Sequence, residues 1–189
     1  MNEHDPGKLS ALLVRARSGD AQARDDLFAA MYGEMRRMAG DLMRRERPGH
    51  TLQPSALVNE AVLRLLKGGT IERAEDRRYL FAAAALAMRR TLVDYARKPG
   101  ARVFHEVLEL DQIVAGFGLQ NLDIVALHDA LERLSAIDER RGMVVTLRFF
   151  GGLTIDETAE ILGVSTATVE GDWRFARAWL RSQLGVPHE

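Results

Sequence analysis

The sequence predicts an all-α protein: two small helical domains joined by a linker, the second a four-helix unit that ends in a helix-turn-helix. Three observations lead there. Apolar residues recur at three- and four-residue steps along most of the chain, while the alternation expected of strands is scarce. Gly and Pro gather at a few points that read as punctuation between helices. Residues 101–122 break the periodicity, hold Gly116 and Gly118, and read as a connection between residues 1–100 and 123–189.

Leu9 to Arg17 is a short amphipathic helix stopped by Ser18-Gly19. Asp20 is a suitable N-cap for a long helix to about Glu46, in which Leu27, Phe28, Met31, Met35, Met38 and Leu42 line one face. Arg36, Arg37, Arg44 and Arg45 fall off that stripe and are expected in solvent, before a loop at Arg47 to His50. Gln53 to Lys67 forms the next helix, with Leu57, Ala61 and Leu65 on one stripe, Val58 and Val62 beside it, and Gly68-Gly69 at its end. A helix from about Ala74 to Arg97 stops before Pro99-Gly100, and its run Ala82 to Ala85 implies close approach of another helix. Asp123 to Leu134, Asp138 to Phe150, Thr154 to Leu162 and Ser165 to Leu184 complete the second unit.

Composition narrows the function. Of 189 residues 47% are hydrophobic, enough for a core, and no cysteine is present, which excludes disulfides, thiolate metal sites and thiol nucleophiles. The N-terminus lacks the layout of a signal peptide, and the longest apolar run, Tyr79 to Met88, is about half a membrane span. A cytoplasmic protein without membrane insertion is expected. His4, His50, His105, His128 and His188 are scattered without metal-ligand spacing, and no P-loop, nucleophile elbow or paired-carboxylate motif appears. These absences predict no enzyme, no cofactor and no metal. The net charge of −1 conceals an asymmetry: residues 1–102 carry 19 Lys/Arg against 13 Asp/Glu, a net of +6, and residues 103–189 carry 7 against 14, a net of −7. Two units with different electrostatic tasks would produce such a split.

The strongest local signal lies between Leu153 and Leu184. Thr154 and Glu157 have capping-box spacing, Ala159 is small where two helices cross, and Gly163 sits where a positive φ is needed. Val164 plugs the turn, Ser165 caps the second helix, and Val169, Trp173, Ala176 and Leu180 face inward. In a helix-turn-helix the start of the second helix meets base edges in the major groove. Here that is Thr166, Ala167, Thr168, Glu170 and Gly171, with Arg174, Arg177 and Arg181 further along for phosphates.

These residues resemble bacterial RNA polymerase sigma factors of the extracytoplasmic-function (ECF) type. The run from Leu131 to Ser165, including V-V-T-L-R-F-F-G-G-L-T-I-D-E-T-A-E-I-L-G-V-S from Val144, is similar to the promoter-reading C-terminal domain of that family, and T-V-E-G-D-W-R-F-A-R-A-W-L-R from Thr168 to one subgroup. G-D-A-Q-A-R-D-D-L-F from Gly19, L-V-N-E-A-V-L-R-L from Leu57 and the helix Tyr79 to Arg97 extend the likeness in the same order. The resemblance implies that residues 1–100 grip core RNA polymerase at its clamp and open the promoter's −10 element, and that residues 123–189 bind the polymerase flap and read the −35 element. By position, Leu57, Glu60, Ala61 and Arg64 would face the clamp, and Arg89, Arg90, Asp94, Arg97 and Lys98 the −10 strand. Ser165, Thr166, Thr168, Glu170, Arg174 and Arg177 would face the −35 duplex. Tyr79, Phe81 and Tyr95 fit a core role better than base stacking.

Two departures stand out. Where the family begins its clamp-binding helix with a pattern like D-A-E-D-L-V-Q-E, this chain has Gln53-Pro54-Ser55-Ala56-Leu57-Val58-Asn59-Glu60, so three carboxylates are missing and the chain resembles a subgroup without that acidic motif. Ser55 and Thr51 occupy or flank the vacated positions, and phosphorylation by a Ser/Thr kinase would restore roughly −1.5 to −2 charge near a helix N-terminus. The competing role for both hydroxyls is to cap the helix. In the second helix of the helix-turn-helix, Glu170-Gly171-Asp172 stands where basic or polar residues are common, two carboxylates expected to repel phosphate, although Glu170 can accept from cytosine N4. An anti-sigma protein is a further candidate partner. A stand-alone helix-turn-helix regulator and a degenerate sigma acting only as a partner-binding protein remain as alternatives.

Overall fold

A computed structural model describes residues 6–43, 53–98 and 123–184, and every regular element among them is helical. The order is α1 (Pro6–Arg17), α2 (Ala21–Met43), α3 (Pro54–Lys67), α4 (Thr70–Arg73), α5 (Arg77–Ala96), α6 (Ile124–Ile137), α7 (Glu139–Val145), a π-helical turn (Thr146–Phe150), α8 (Ile155–Leu162) and α9 (Thr166–Gln183). The expected ends at Glu46, the loop Arg47 to His50, Arg44, Arg45, Thr51 and the linker 101–122 lie outside the described residues.

Asp20 starts α2 as anticipated: its carboxylate accepts from the Ala23 amide at 2.9 Å and from the Arg15 guanidinium at 2.7 Å. Leu27, Met31, Met35 and Met38 are buried, while Arg36 and Arg37 are exposed. On α3 the stripe Leu57, Val58, Ala61, Leu65 is buried against α2 and α5. The segment after Gly68 differs from the expectation of one helix from Ala74. A short turn, α4, precedes α5, because Asp76 in extended conformation accepts from the Tyr79 amide at 3.0 Å and sets a new helix start. Ala84 and Ala85 are buried, as close approach requires.

The expected helix Asp138 to Phe150 is likewise divided. Asp138 ends α6 and caps α7, accepting from the Arg141 amide, and after Val145 the backbone widens into the π turn, where the Gly151 amide reaches back to the Thr146 carbonyl at 3.2 Å. Gly142 permits the crossing of α6 and α7, since a Cβ there would come within 3.0 Å of the Ser135 Cβ. The N-terminal helices and α6–α9 share one continuous buried core. Central to it is α5, which packs on α3 on one side and on α6, α8 and the π turn on the other. Among the described residues no helix is long and apolar enough to cross a membrane.

Candidate nucleic-acid interface

The unit formed by α8 and α9 is fixed by hydrogen bonds at each helix start. Thr154 Oγ1 accepts from the Glu157 amide at 3.2 Å, and the Glu157 carboxylate accepts from the Thr154 amide at 2.8 Å, which completes a capping box. Gly163 takes φ 66°, a left-handed conformation that ends α8, and the Val164 amide returns to the Ala159 carbonyl at 3.1 Å. Ser165 Oγ then accepts from the Thr168 amide at 3.1 Å and lies 2.8 Å from Thr168 Oγ1. Val169, Trp173, Ala176 and Leu180 are buried. Thr166, Ala167, Glu170, Gly171 and Arg174 are left exposed on the opposite side, with Thr168 half-buried.

Asp172 is not among the exposed residues. It lies three residues after Val169 and four before Ala176, on the inward side of α9, and is only 5% exposed. Burial alone would raise its carboxyl. Hydrogen bonds from Arg140 (2.7 Å) and Arg141 (3.3 Å), together with their charges, outweigh burial and hold it below the ordinary aspartate value. The expectation that Asp172 repels phosphate is therefore corrected: its charge is spent within the fold, and Arg141 also stacks 3.8 Å from the centre of the Phe175 ring. Of the two carboxylates, Glu170 alone is presented outward.

A cationic feature that the sequence did not disclose lies beside α9. Arg148, from the π turn, sits 4.9 Å from the Trp173 ring centre, and Arg177 sits 6.0 Å from the same ring. Nε and Nη1 of Arg148 and Nε of Arg177 are buried without an acceptor. Burial, and then the charge of Arg177, push the Arg148 guanidinium below its ordinary value. Two like charges thus meet around the Trp173 ring in the middle of α9, with donors that find no acceptor within the fold. A lone Arg in Leu147-Arg148-Phe149 carries no local sign of this, because Trp173 brings the pair together from 25 residues on.

On α5 and just past its end the basic residues divide. Arg90 and Lys98 are exposed, the latter 5.0 Å from the Tyr95 ring centre. Asp94 binds Arg64 of α3 at 2.6 Å, which links two residues expected on different surfaces. Arg97 meets Asp129 of α6 at 3.3 Å. Arg89, expected to face a DNA strand, is 2% exposed and enclosed by the C-terminal half. It donates to Glu132 Oε1 (2.7 Å), His128 Nδ1 (3.1 Å), the His128 carbonyl (3.2 Å) and Thr146 Oγ1 (3.4 Å). Of the aromatic residues, Phe81 is buried, Tyr95 half-buried and Tyr79 exposed.

On α3, Leu57 and Ala61 are both 0% exposed and so cannot touch an outside partner; they share the stripe of Leu65 that packs inward. Glu60 and Arg64 remain accessible, joined by the solvent-facing Leu63 (46%) and Leu66 (42%). The cap of α3 is Gln53, without a side-chain hydrogen bond, followed by Pro54, and its first turn holds no acid. Ser55 is thus exposed within the first turn and does not cap the helix. Among the described residues no cluster of His, Asp and Glu has the makings of a metal site.

No curated protein matches the chain significantly. The model of one protein family, described as ECF sigma factor, matches residues 6–186.

Proposed function

Because the chain belongs to the ECF sigma factor family, a family of transcription factors rather than enzymes, we propose that it binds core RNA polymerase and directs promoter-specific initiation in the cytoplasm. The division of labour is between two domains, residues 1–100 and 123–189, joined by 101–122. In the second domain α8 and α9 act as a helix-turn-helix whose exposed start, Ser165 to Glu170, meets the −35 duplex, with Arg174 and the Arg148–Arg177 pair on its phosphates. In the first, Arg90 on α5 with Arg97 and Lys98 just past its end meet the −10 strand, and Glu60, Leu63, Arg64 and Leu66 on α3 meet the polymerase clamp. The observation that carries this reading is the doubly capped turn that leaves one end of α9 exposed, in a chain matched by the family over nearly its whole length.

Titration of fluorescently labelled protein with core polymerase tests the reading. Wild type should bind, and Leu63→Asp with Leu66→Asp should weaken binding at least tenfold while leaving the helical circular dichroism unchanged. Binding that ignores the double substitution would remove α3 from the interface, and no binding by any form would leave a partner-binding protein instead.

A regulatory role for Ser55 is supported by the open first turn of α3: an exposed hydroxyl, no acid and no side-chain cap. A phosphate there would meet free backbone amides at the positive end of a helix and replace the missing acidic motif. Ser55→Glu, or Ser55 phosphorylated by a kinase, should raise affinity for core polymerase over the unmodified protein. Equal affinity for the phosphorylated and unmodified forms would refute regulation at this position. Thr51 is the second candidate and lies outside the described residues.

A further inference from the structure

The outward face of α9 carries an unexpected sign for a helix laid against DNA. From its start to Arg174 the exposed residues are Thr166, Ala167, Glu170, Gly171 and Arg174, so the first charge on that face is negative. Thr168 is half-buried, and its hydroxyl lies 2.8 Å from Ser165 Oγ within the cap. Asp172, the other carboxylate of the stretch, is turned inward and held by Arg140 and Arg141. No atom of another element lies within 4 Å of where a Gly171 Cβ would stand, which leaves the flank of Glu170 open. Among the described residues no ion pair engages the Glu170 carboxylate. The Thr166 hydroxyl can both donate and accept, and the Ala167 side chain does neither. Ahead of Arg174, Glu170 is therefore the outward side chain of fixed polarity, since a carboxylate only accepts.

We propose that Glu170 selects a cytosine in the upstream promoter element by accepting from its N4 amine in the major groove. The proposal rests on the reading of α9 as the duplex-facing helix, and it names a base which that helix demands. Phosphates repel the carboxylate on every sequence alike. Entry into the groove also strips it of water, a loss offset only where the base edge offers a donor. Thymine O4 and guanine O6 and N7 are acceptors and repel it. Adenine offers its N6 amine, but the N7 acceptor beside it faces the second carboxylate oxygen. Cytosine offers N4 with no acceptor next to it on the same base. Glu170 thus acts by rejection as much as by attraction, so discrimination is gained with a loss of affinity. The inward turn of Asp172 keeps that loss to a single carboxylate.

The test is selection of bound duplexes by the full chain assembled with bacterial core polymerase, from promoter fragments randomised across the −35 region, followed by sequencing. Wild type should enrich cytosine at one position about tenfold over the other bases, as one good side-chain contact to a base edge does. Glu170→Gln should move that position toward adenine, whose N6 and N7 match an amide, and should bind duplex of random sequence more tightly. Glu170→Arg should move the same position toward guanine, through O6 and N7. Glu139→Gln removes an equal charge from an exposed position on α7 and should leave the selected sequences as they are. Selection of a base other than cytosine at the position these variants alter, or no altered position at all, overturns the proposal. A change of affinity spread evenly over all sequences also overturns it, and reduces Glu170 to a general repulsion. Enrichment of no sequence by any form, wild type included, overturns the promoter-reading role of α9 on which the proposal rests.

Discussion

Neutralising Asp172 separates two views of α9. If this carboxylate faced DNA, its loss would strengthen binding; enclosed between Arg140 and Arg141, its loss should weaken the fold instead. Asp172→Asn keeps the shape and removes the charge. The side chain is 6% exposed and accepts at 2.7 Å from Arg140 and 3.3 Å from Arg141. Hydrogen bonds to charged groups contribute about 1.5–3 kcal/mol each. Arg140 is half exposed and regains water, so its contact is screened. A net loss of about 1–2 kcal/mol remains, and at roughly 2–4 °C per kcal/mol for a chain of this size the melting temperature should fall by about 2–8 °C. Thermal unfolding followed by circular dichroism at pH 7 measures this. The pH dependence adds a second mark. A carboxyl held below its ordinary value stabilises the fold above the unfolded value of 3.8, and that stability is lost as pH falls through the lower folded value. The variant should lack this acid-limb component. An unchanged melting temperature together with tighter duplex binding would refute the inward placement of Asp172.

The other predictions concern α9, the cation pair and the contact between halves. Gly171 is helical and exposed, with nothing within 4 Å of where a Cβ would stand, so Gly171→Ala should stabilise by about 1 kcal/mol; a loss of stability would show that the position needs glycine. Arg148→Ala should weaken duplex binding equally for all sequences and flatten the salt dependence by about one unit of slope, and an unaltered slope would take Arg148 off the phosphates. His128 Nδ1 accepts from Arg89 Nε, which requires the unprotonated ring nitrogen. Burial and then the charge of Arg89, with Arg97 adding and Glu132 and Asp129 opposing, lower its pKa from 6.5. The fold should therefore keep this contribution in full above pH 6.5 and lose it as pH falls below that value. His128→Asn, an acceptor that does not titrate, should flatten the trend of melting temperature with pH, and an unaltered trend would take His128 out of it.

What the sequence disclosed was local. The pairing of Thr154 with Glu157, the glycine at 163, the cap at Ser165 and the stripe Val169 to Leu180 are set by neighbours within one or two turns, and all appear as expected. The stripe of α3 was equally legible, but the resemblance set Leu57 and Ala61 toward a partner, whereas the structure buries both. The start of α5 could have been read from Asp76, a good cap three residues before Tyr79. Long-range pairing was not legible. Asp172 is turned inward by arginines 31 and 32 residues away, and Arg89 is buried by groups 39 to 57 residues away. No spacing rule links such positions. The split of charge between the halves hinted at two tasks but not that the halves would meet each other.

The most direct test of the whole account is transcription in vitro, with bacterial core polymerase, a library of promoter fragments and the purified protein. Discrete transcripts that require the protein are predicted, more abundant with phosphorylated Ser55. Absence of any transcript with the unmodified and phosphorylated proteins alike would contradict it.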